Sequence, residues 1–277
     1  GPQASLITID GTIDSVSAGY LSRGVDAAND NESQFIVVVL DTPGGLFSST
    51  RDMVLDILAS DIPVIVYVSP PGARAASAGT FITAAAHVAA MAPSTNIGAA
   101  SPVGAGGRDL PETLKSKATQ DAAAFMRGIA EERGRNADAL EQAVLDEASY
   151  SASEALQQNI VDLIANDMED LLAKLDGRVV RIKDREVVLE TEGVAVREIK
   201  RNPVERFLGI VADPNIAFLL LTIGGIGLVV EVLSPGLLGP GIIGVIALSL
   251  ALVALGNLPV NWVGVGLIAL AMVLFFL

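Results

Sequence analysis

Apolar and polar positions change period several times along the chain, and each change marks an element. Ser5-Leu6-Ile7-Thr8-Ile9-Asp10-Gly11 reads as a short strand running into a turn. Residues 15–29 carry Leu21, Val25 and Ala28 on one helical face. Phe35-Ile36-Val37-Val38-Val39-Leu40 is apolar without a break, as a strand buried on both faces of a parallel sheet has to be. An amphipathic stretch at 49–59 then leads to a second such run, Val64-Ile65-Val66-Tyr67-Val68. Strand and helix alternating over short connections predict βαβ units and an α/β fold. Further short strands are expected at 87–91 and 96–98, and the Gly/Pro-rich stretch 101–111 reads as a mobile loop. Helices follow at 113–133 and 136–148, and another opens at the Ser151/Glu154 capping box. A strand at 160–164, a helix at 168–175 and a hairpin or small sheet within 178–198 complete this part.

Near Phe207 the pattern changes kind. From Val232 to Leu277 there is no Asp, Glu, Lys or Arg, and three apolar segments follow one another at 216–230, 236–255 and 258–277. About 20 residues per segment suits a bilayer core, so these are predicted membrane spans. Pro235, Pro240 and several glycines interrupt them, and Glu231 is expected at headgroup level, where charge costs least. Arg197, Lys200, Arg201 and Arg206 form a basic collar ahead of them. The chain therefore divides into a catalytic α/β domain (1–176), a β-hairpin linker with the collar (177–206) and a membrane region (207–277). It starts at Gly1 and ends inside an apolar run, so a removed targeting segment and further chain beyond Leu277 are expected.

Composition narrows the functional classes. Of 277 residues 51% are hydrophobic but only 4% aromatic, and the net charge is −14. An acidic chain lacks the basic face that phosphate backbones require, so no nucleic-acid partner is expected. With no cysteine and a single histidine, disulfides and thiolate metal sites are excluded, and neither a metal nor a cofactor is expected.

The candidate chemistry centres on Pro71-Gly72-Ala73-Arg74-Ala75-Ala76-Ser77-Ala78-Gly79, which joins an apolar strand to an alanine-rich helix. Small neighbours leave the Ser77 hydroxyl open, and N–H groups at a helix start are unpaired. A helix N-cap is the plain alternative for such a serine. As a nucleophile Ser77 would need a base. His87, ten residues on, would lie about 15 Å away along a helix and reads as structural. What remains is a lysine whose ammonium form burial disfavours. Lys174, Lys183 and Lys200 sit among charged neighbours and read as surface residues. Lys115 and Lys117 open the helix at 113–133, and helical phase does not choose between them. The Pro43-Gly44-Gly45 turn ends a buried strand at the sheet edge where α/β folds bind ligands. Its N–H groups, with that of Ala78, are placed to form an oxyanion hole, or else it is an ordinary tight turn.

Asp41-Thr42-Pro43-Gly44-Gly45, the 72–80 stretch Gly-Ala-Arg-Ala-Ala-Ser-Ala-Gly-Thr, and Met91-Ala92-Pro93 followed by Asn96-Ile97-Gly98-Ala99 resemble the NfeD family. These are membrane-bound serine proteases that partner stomatins, with a catalytic domain of the ClpP/crotonase-like fold. The resemblance implies that Ser77 is the nucleophile and Lys117, counted back from Gly134-Arg135-Asn136, the general base of a Ser-Lys dyad. Gly45 and Ala78 then supply the oxyanion-hole N–H groups, supported by Gly44. It further implies hydrophobic peptide substrates, such as a segment of a stomatin-like membrane partner, and a homodimer or higher homo-oligomer. The expected location is the cell membrane, multi-pass, with the protease domain extracytoplasmic. A crotonase-type acyl-CoA enzyme and a non-catalytic scaffold for a stomatin-like protein are the competing readings.

Overall fold

The unbroken apolar runs pair side by side as the middle of a parallel sheet. The computed structural model describes residues 2–102, 111–236 and 238–254. Its elements begin with β1 (Gln3–Asp10), α1 (Ser15–Asp30), β2 (Ile36–Asp41), α2 (Phe47–Ala59) and β3 (Val64–Val68). Next come β4 (Arg74–Ala76), α3 (Ala78–Ala85), β5 (Val88–Met91), β6 (Asn96–Gly98), α4 (Glu112–Arg133) and α5 (Ala137–Leu145). β7 (Ser149–Ser151), α6 (Ala152–Gln157), β8 (Leu163–Ile164) and α7 (Met168–Leu175) follow. The remainder is β9 (Val179–Ile182), β10 (Arg185–Val188), β11 (Ala195–Glu198), α8 (Pro203–Val211), α9 (Pro214–Leu233) and α10 (Gly239–Ala254).

The main sheet has the order β11-β1-β2-β3-β5-β8, and every neighbouring pair is parallel. Because side chains alternate across a strand, β2 sends Ile36, Val38 and Leu40 into one core and Val37 into the other. Helices α1 to α5 cover the first face. The second is covered by α7 and by the antiparallel β9–β10 hairpin. Each fully buried Ile, Leu or Val contributes roughly 2 kcal/mol, so both layers fix the register of the strands on which the turns are mounted. A smaller sheet, β4-β6-β7, stands at the C-terminal ends of β2 and β3. It meets the main sheet through the Thr42–Ala75 bridge.

The described residues divide into two compact units at Lys200. The hairpin belongs to the first unit, and β11 leaves it to pair in parallel with β1. In the second unit α9 is apolar and long enough to cross a bilayer, with a mean hydropathy of 2.5 over Asn215–Leu233. The 16-residue α10 is a shorter apolar helix packed against it. Their backbones meet at glycines. A Cβ on Gly227 would fall 2.5 Å from the Pro240 carbonyl oxygen, and one on Gly244 would fall 2.9 Å from that of Gly224. Glu231, expected at headgroup level, is buried in the turn between the two helices. It accepts the N–H groups of Leu238 and Gly241, each at 3.1 Å. The expected third span at 258–277 and most of the expected mobile loop, 103–110, lie outside the described residues.

Candidate active site

Ser77 sits between β4 and α3 with φ 51° and ψ −110°, a conformation that side-chain-bearing residues avoid. Such strain persists only where neighbours over-determine it. The Ser77 N–H donates to the Gly98 carbonyl at 3.1 Å, and the Ser77 carbonyl accepts the Thr80 N–H at 3.0 Å. The buried Thr80 hydroxyl reaches both the Ala75 carbonyl (3.0 Å) and the Gly98 carbonyl (3.2 Å), so it ties β4, β6 and the first turn of α3 together. Gly98 itself is tightly placed, since a Cβ there would fall 2.3 Å from the Ala148 carbonyl oxygen.

The far end of α3 is held as firmly. Arg133 donates to the Ala85 carbonyl, and buried Arg135 donates to those of Ala84 and Ala86. Arg135 also pairs with Asp162 at 2.9 Å. Guanidinium groups on the last carbonyls oppose the negative end of the helix dipole. The Gly134-Arg135-Asn136 stop is thus more than the end of α4: it anchors the helix that carries Ser77. Sequence spacing gave no sign of this role.

The turn after β2 closes on Ser77 from the other side. The Thr42 hydroxyl accepts the Gly44 N–H at 3.1 Å and lies 3.2 Å from the Gly44 carbonyl oxygen, which also accepts the Ile13 N–H. Gly44 has φ 122°, and a Cβ on it would lie 2.7 Å from Ser77 Cβ and 3.2 Å from Oγ. At Gly45 a Cβ would strike the Ile13 carbonyl oxygen at 2.0 Å. Only glycines let this turn approach both Ser77 and the β1–α1 connection.

Ser77 is half-buried, and among the described residues its hydroxyl makes no hydrogen bond. The plain N-cap alternative therefore does not describe it. The N–H groups of Gly45 and Ala78 are likewise not taken up by any hydrogen bond among the described residues, whereas that of Gly44 is. A hydroxyl and two free N–H donors thus share a corner with the positive end of α3.

Lys115 and Lys117 are both exposed on the first turns of α4, and among the described residues no ion pair or hydrogen bond joins either side chain to Ser77. The helix begins to bury side chains at Ala122. It is pinned by Phe125, whose ring stacks on Phe81 (6.0 Å) and meets Phe47 edge-on (6.3 Å). Phe125 lies about 12 Å along the helix from Lys117. The other lysines each face a carboxylate at the surface: Lys174 with Asp170, Lys183 with Asp61, Lys200 with Glu198.

His87 lies beyond the opposite end of α3 from Ser77. Its Nδ1 accepts the Val64 N–H at 3.1 Å, and Nε2 lies 3.2 Å from an Arg133 nitrogen. Burial, reinforced by the Arg133 charge, pushes its pKa down to about 3. It is a neutral structural group.

Comparison with known proteins places this geometry. The model for the NfeD1b N-terminal domain matches residues 3–187, and that for the NfeD integral membrane domain matches residues 215–277. The membrane-bound protease PH1510 of Pyrococcus horikoshii is 36% identical over 270 residues, 96% of this chain. The chain spans 61% of that relative's length. The solved structure of 1510-N, a membrane-bound stomatin-specific protease, as a lysine-to-alanine mutant in complex with a substrate peptide superposes with a TM-score of 0.70 at 32% identity. That match covers 76% of this chain and 97% of the other. A serine-to-alanine mutant of the same protease gives 0.67 at 33% identity, covering 73% and 99%. The expected α/β fold is thus the fold of a solved relative.

Proposed function

Because the chain belongs to the NfeD family, we propose that it is a membrane-anchored serine endopeptidase using Ser77 and Lys117. The observation that carries this reading is the Ser77 corner: a strained backbone holding a hydroxyl against Gly44, with that hydroxyl and two neighbouring N–H donors unbonded among the described residues. The two mutants of 1510-N support it, since the altered serine and lysine there are separated by one residue more than Ser77 and Lys117.

In the proposed reaction Ser77 Oγ attacks the scissile carbonyl carbon while its proton passes to the Lys117 amine. The oxyanion is stabilised by the Gly45 and Ala78 N–H groups. Gly44 shapes the turn, its own N–H being held by Thr42. Collapse breaks the C–N bond, and the leaving amine takes the proton from Lys117. Water, deprotonated by the Lys117 amine, then attacks the Ser77 ester; the ester C–O bond breaks and the proton passes from Lys117 to Ser77 Oγ. Lys117 is exposed in the single chain, so the proposal includes a homodimer or larger assembly whose second copy, together with bound substrate, covers it.

The chain is membrane-bound. The finer reading is a multi-pass protein with its protease domain outside the cytoplasm, cleaving a hydrophobic segment of a stomatin-like partner. Fluorophosphonate labelling of the full chain tests the chemistry. An adduct lost in Ser77→Ala and weakened in Lys117→Ala is expected. An adduct that survives in folded Ser77→Ala removes Ser77 from the role, and no adduct on the folded wild type favours the scaffold reading.

A further inference from the structure

Three of the chain's eight phenylalanines meet in one cluster, and each comes from an element that carries a different part of the proposed site. Phe47 opens α2 two residues after Gly45. Phe81 lies on α3, one turn beyond Ala78. Phe125 lies on α4, eight residues after Lys117. The Phe47 and Phe81 rings meet edge-on at 5.6 Å, and Phe125 stacks on Phe81 at 6.0 Å and meets Phe47 edge-on at 6.3 Å. Arg51, exposed one turn along α2 from Phe47, sets its guanidinium carbon 4.6 Å from the centre of the half-buried Phe125 ring.

Edge-on and offset contacts hold rings at preferred angles, which the non-directional packing of aliphatic side chains does not. Hydrophobic residues make up 51% of the chain and aromatics 4%, so a joint of three rings is not a by-product of composition. What the joint fixes is the direction of α4. That helix buries side chains only from Ala122 onward, and its first turns project from there, exposed. Over the distance of about 12 Å from Phe125 to Lys117, a tilt of about 5° moves the lysine by about 1 Å. A misplacement of that size costs up to about 10²-fold in rate. Phe47 and Phe81 refer the direction of α4 to the Gly45 and Ala78 N–H groups, since each ring lies within one turn of its donor.

We propose that the Phe47–Phe81–Phe125 cluster, capped by Arg51, is the joint that aims α4 and so sets where Lys117 meets Ser77. Phe125 and Arg51 are then positioning residues that act through Lys117. The inference rests on the Ser77/Lys117 reading and extends it.

The rate at which a fluorophosphonate labels the full chain in detergent tests it. Phe125→Leu is expected to lower the maximal labelling rate about tenfold, with the half-saturating probe concentration within about twofold. Phe125→Tyr, which keeps the ring, restores the rate. Arg51→Gln, on the exposed side of the cluster, lowers it about threefold, and Arg51→Lys retains most of it. In a Lys117→Ala background both losses shrink below about twofold, because the helix then has no base to aim. Rings that served packing alone would lower the rate equally in both backgrounds. Circular dichroism checks that each variant folds, and Arg51→Gln gives the same pair of comparisons if Phe125→Leu does not. Undiminished labelling in the folded variants, or equal losses with and without Lys117, overturns the proposal and leaves the dyad standing. Full-rate labelling of Lys117→Ala removes the dyad, and the proposal with it.

Discussion

Around Ser77 the backbone is tied at each step, whereas the first turns of α4, which carry Lys117, are exposed. On one side, Gly98, Thr80 and Gly44 hold a residue at φ 51°, and two arginines secure the far end of its helix. On the other, the helix buries nothing before Ala122. A conformation costing about 1–3 kcal/mol needs neighbours that outvote it, so the Ser77 half of the proposed dyad has to be built by the fold itself. A lysine can wait for its surroundings to arrive with substrate or a second subunit. The contrast teaches which half of the proposed dyad is built into the chain and which is left exposed by it.

Mutations on either side break this contrast in order of size. Ser77→Ala is expected to lower peptide turnover by at least about 10³-fold, with folding intact. Lys117→Ala should cost about 10²-fold or more, while Lys115→Ala stays within about twofold. If Lys115→Ala carries the larger loss, the base lies one half-turn earlier and the phase ambiguity resolves the other way. Gly44→Ala forces a methyl against Ser77 Cβ at a φ of 122°, and turnover should fall by about 10²-fold through displacement of the nucleophile. Thr80→Val removes the hydroxyl that joins β4, β6 and α3. A five- to tenfold loss in kcat with KM unchanged is expected, and Thr80→Ser should restore it. A loss carried by KM instead would show that Thr80 shapes the binding cleft and not the Ser77 backbone.

The sequence made legible what depends on local pattern. β2 and β3 announce themselves as unbroken apolar runs, and Ser151/Glu154 forms the capping box its spacing implies. What stayed hidden depends on distant partners. β4 and β7 are three residues each, too short to show a period, and exist because β6 pairs with both. The parallel pairing of β11 with β1 joins opposite ends of the first unit, and no local pattern encodes it. α8 hides behind the charges at and before its start, since Arg201 and Arg206 draw attention from Val204, Phe207 and Ile210. At the site, residue types marked Ser77 and the glycine turn, but only the backbone angles and the missing cap bond separate this serine from an N-cap. Helical phase left Lys115 and Lys117 undecided, and exposure of both leaves the family resemblance as the ground for preferring Lys117.

His87 gives the smallest effect on turnover and a separate check on the contrast. Its folded pKa is about 3 against an ordinary value of 6.5, so above pH 6.5 it is neutral whether the chain is folded or not. Between those values only the unfolded chain takes up the proton. Stability present above pH 6.5 is therefore lost as pH falls, by up to about 1.4 kcal/mol per pH unit, until the folded group also titrates near 3. His87→Gln should flatten that slope in denaturant midpoints of the full chain in detergent, and should leave turnover at pH 7 within about twofold. A folded His87→Gln protein that no longer forms the fluorophosphonate adduct would move the base to the far end of α3. The exposed lysine would then be a surface residue, and the contrast between a prepared and an unprepared half of the site would vanish.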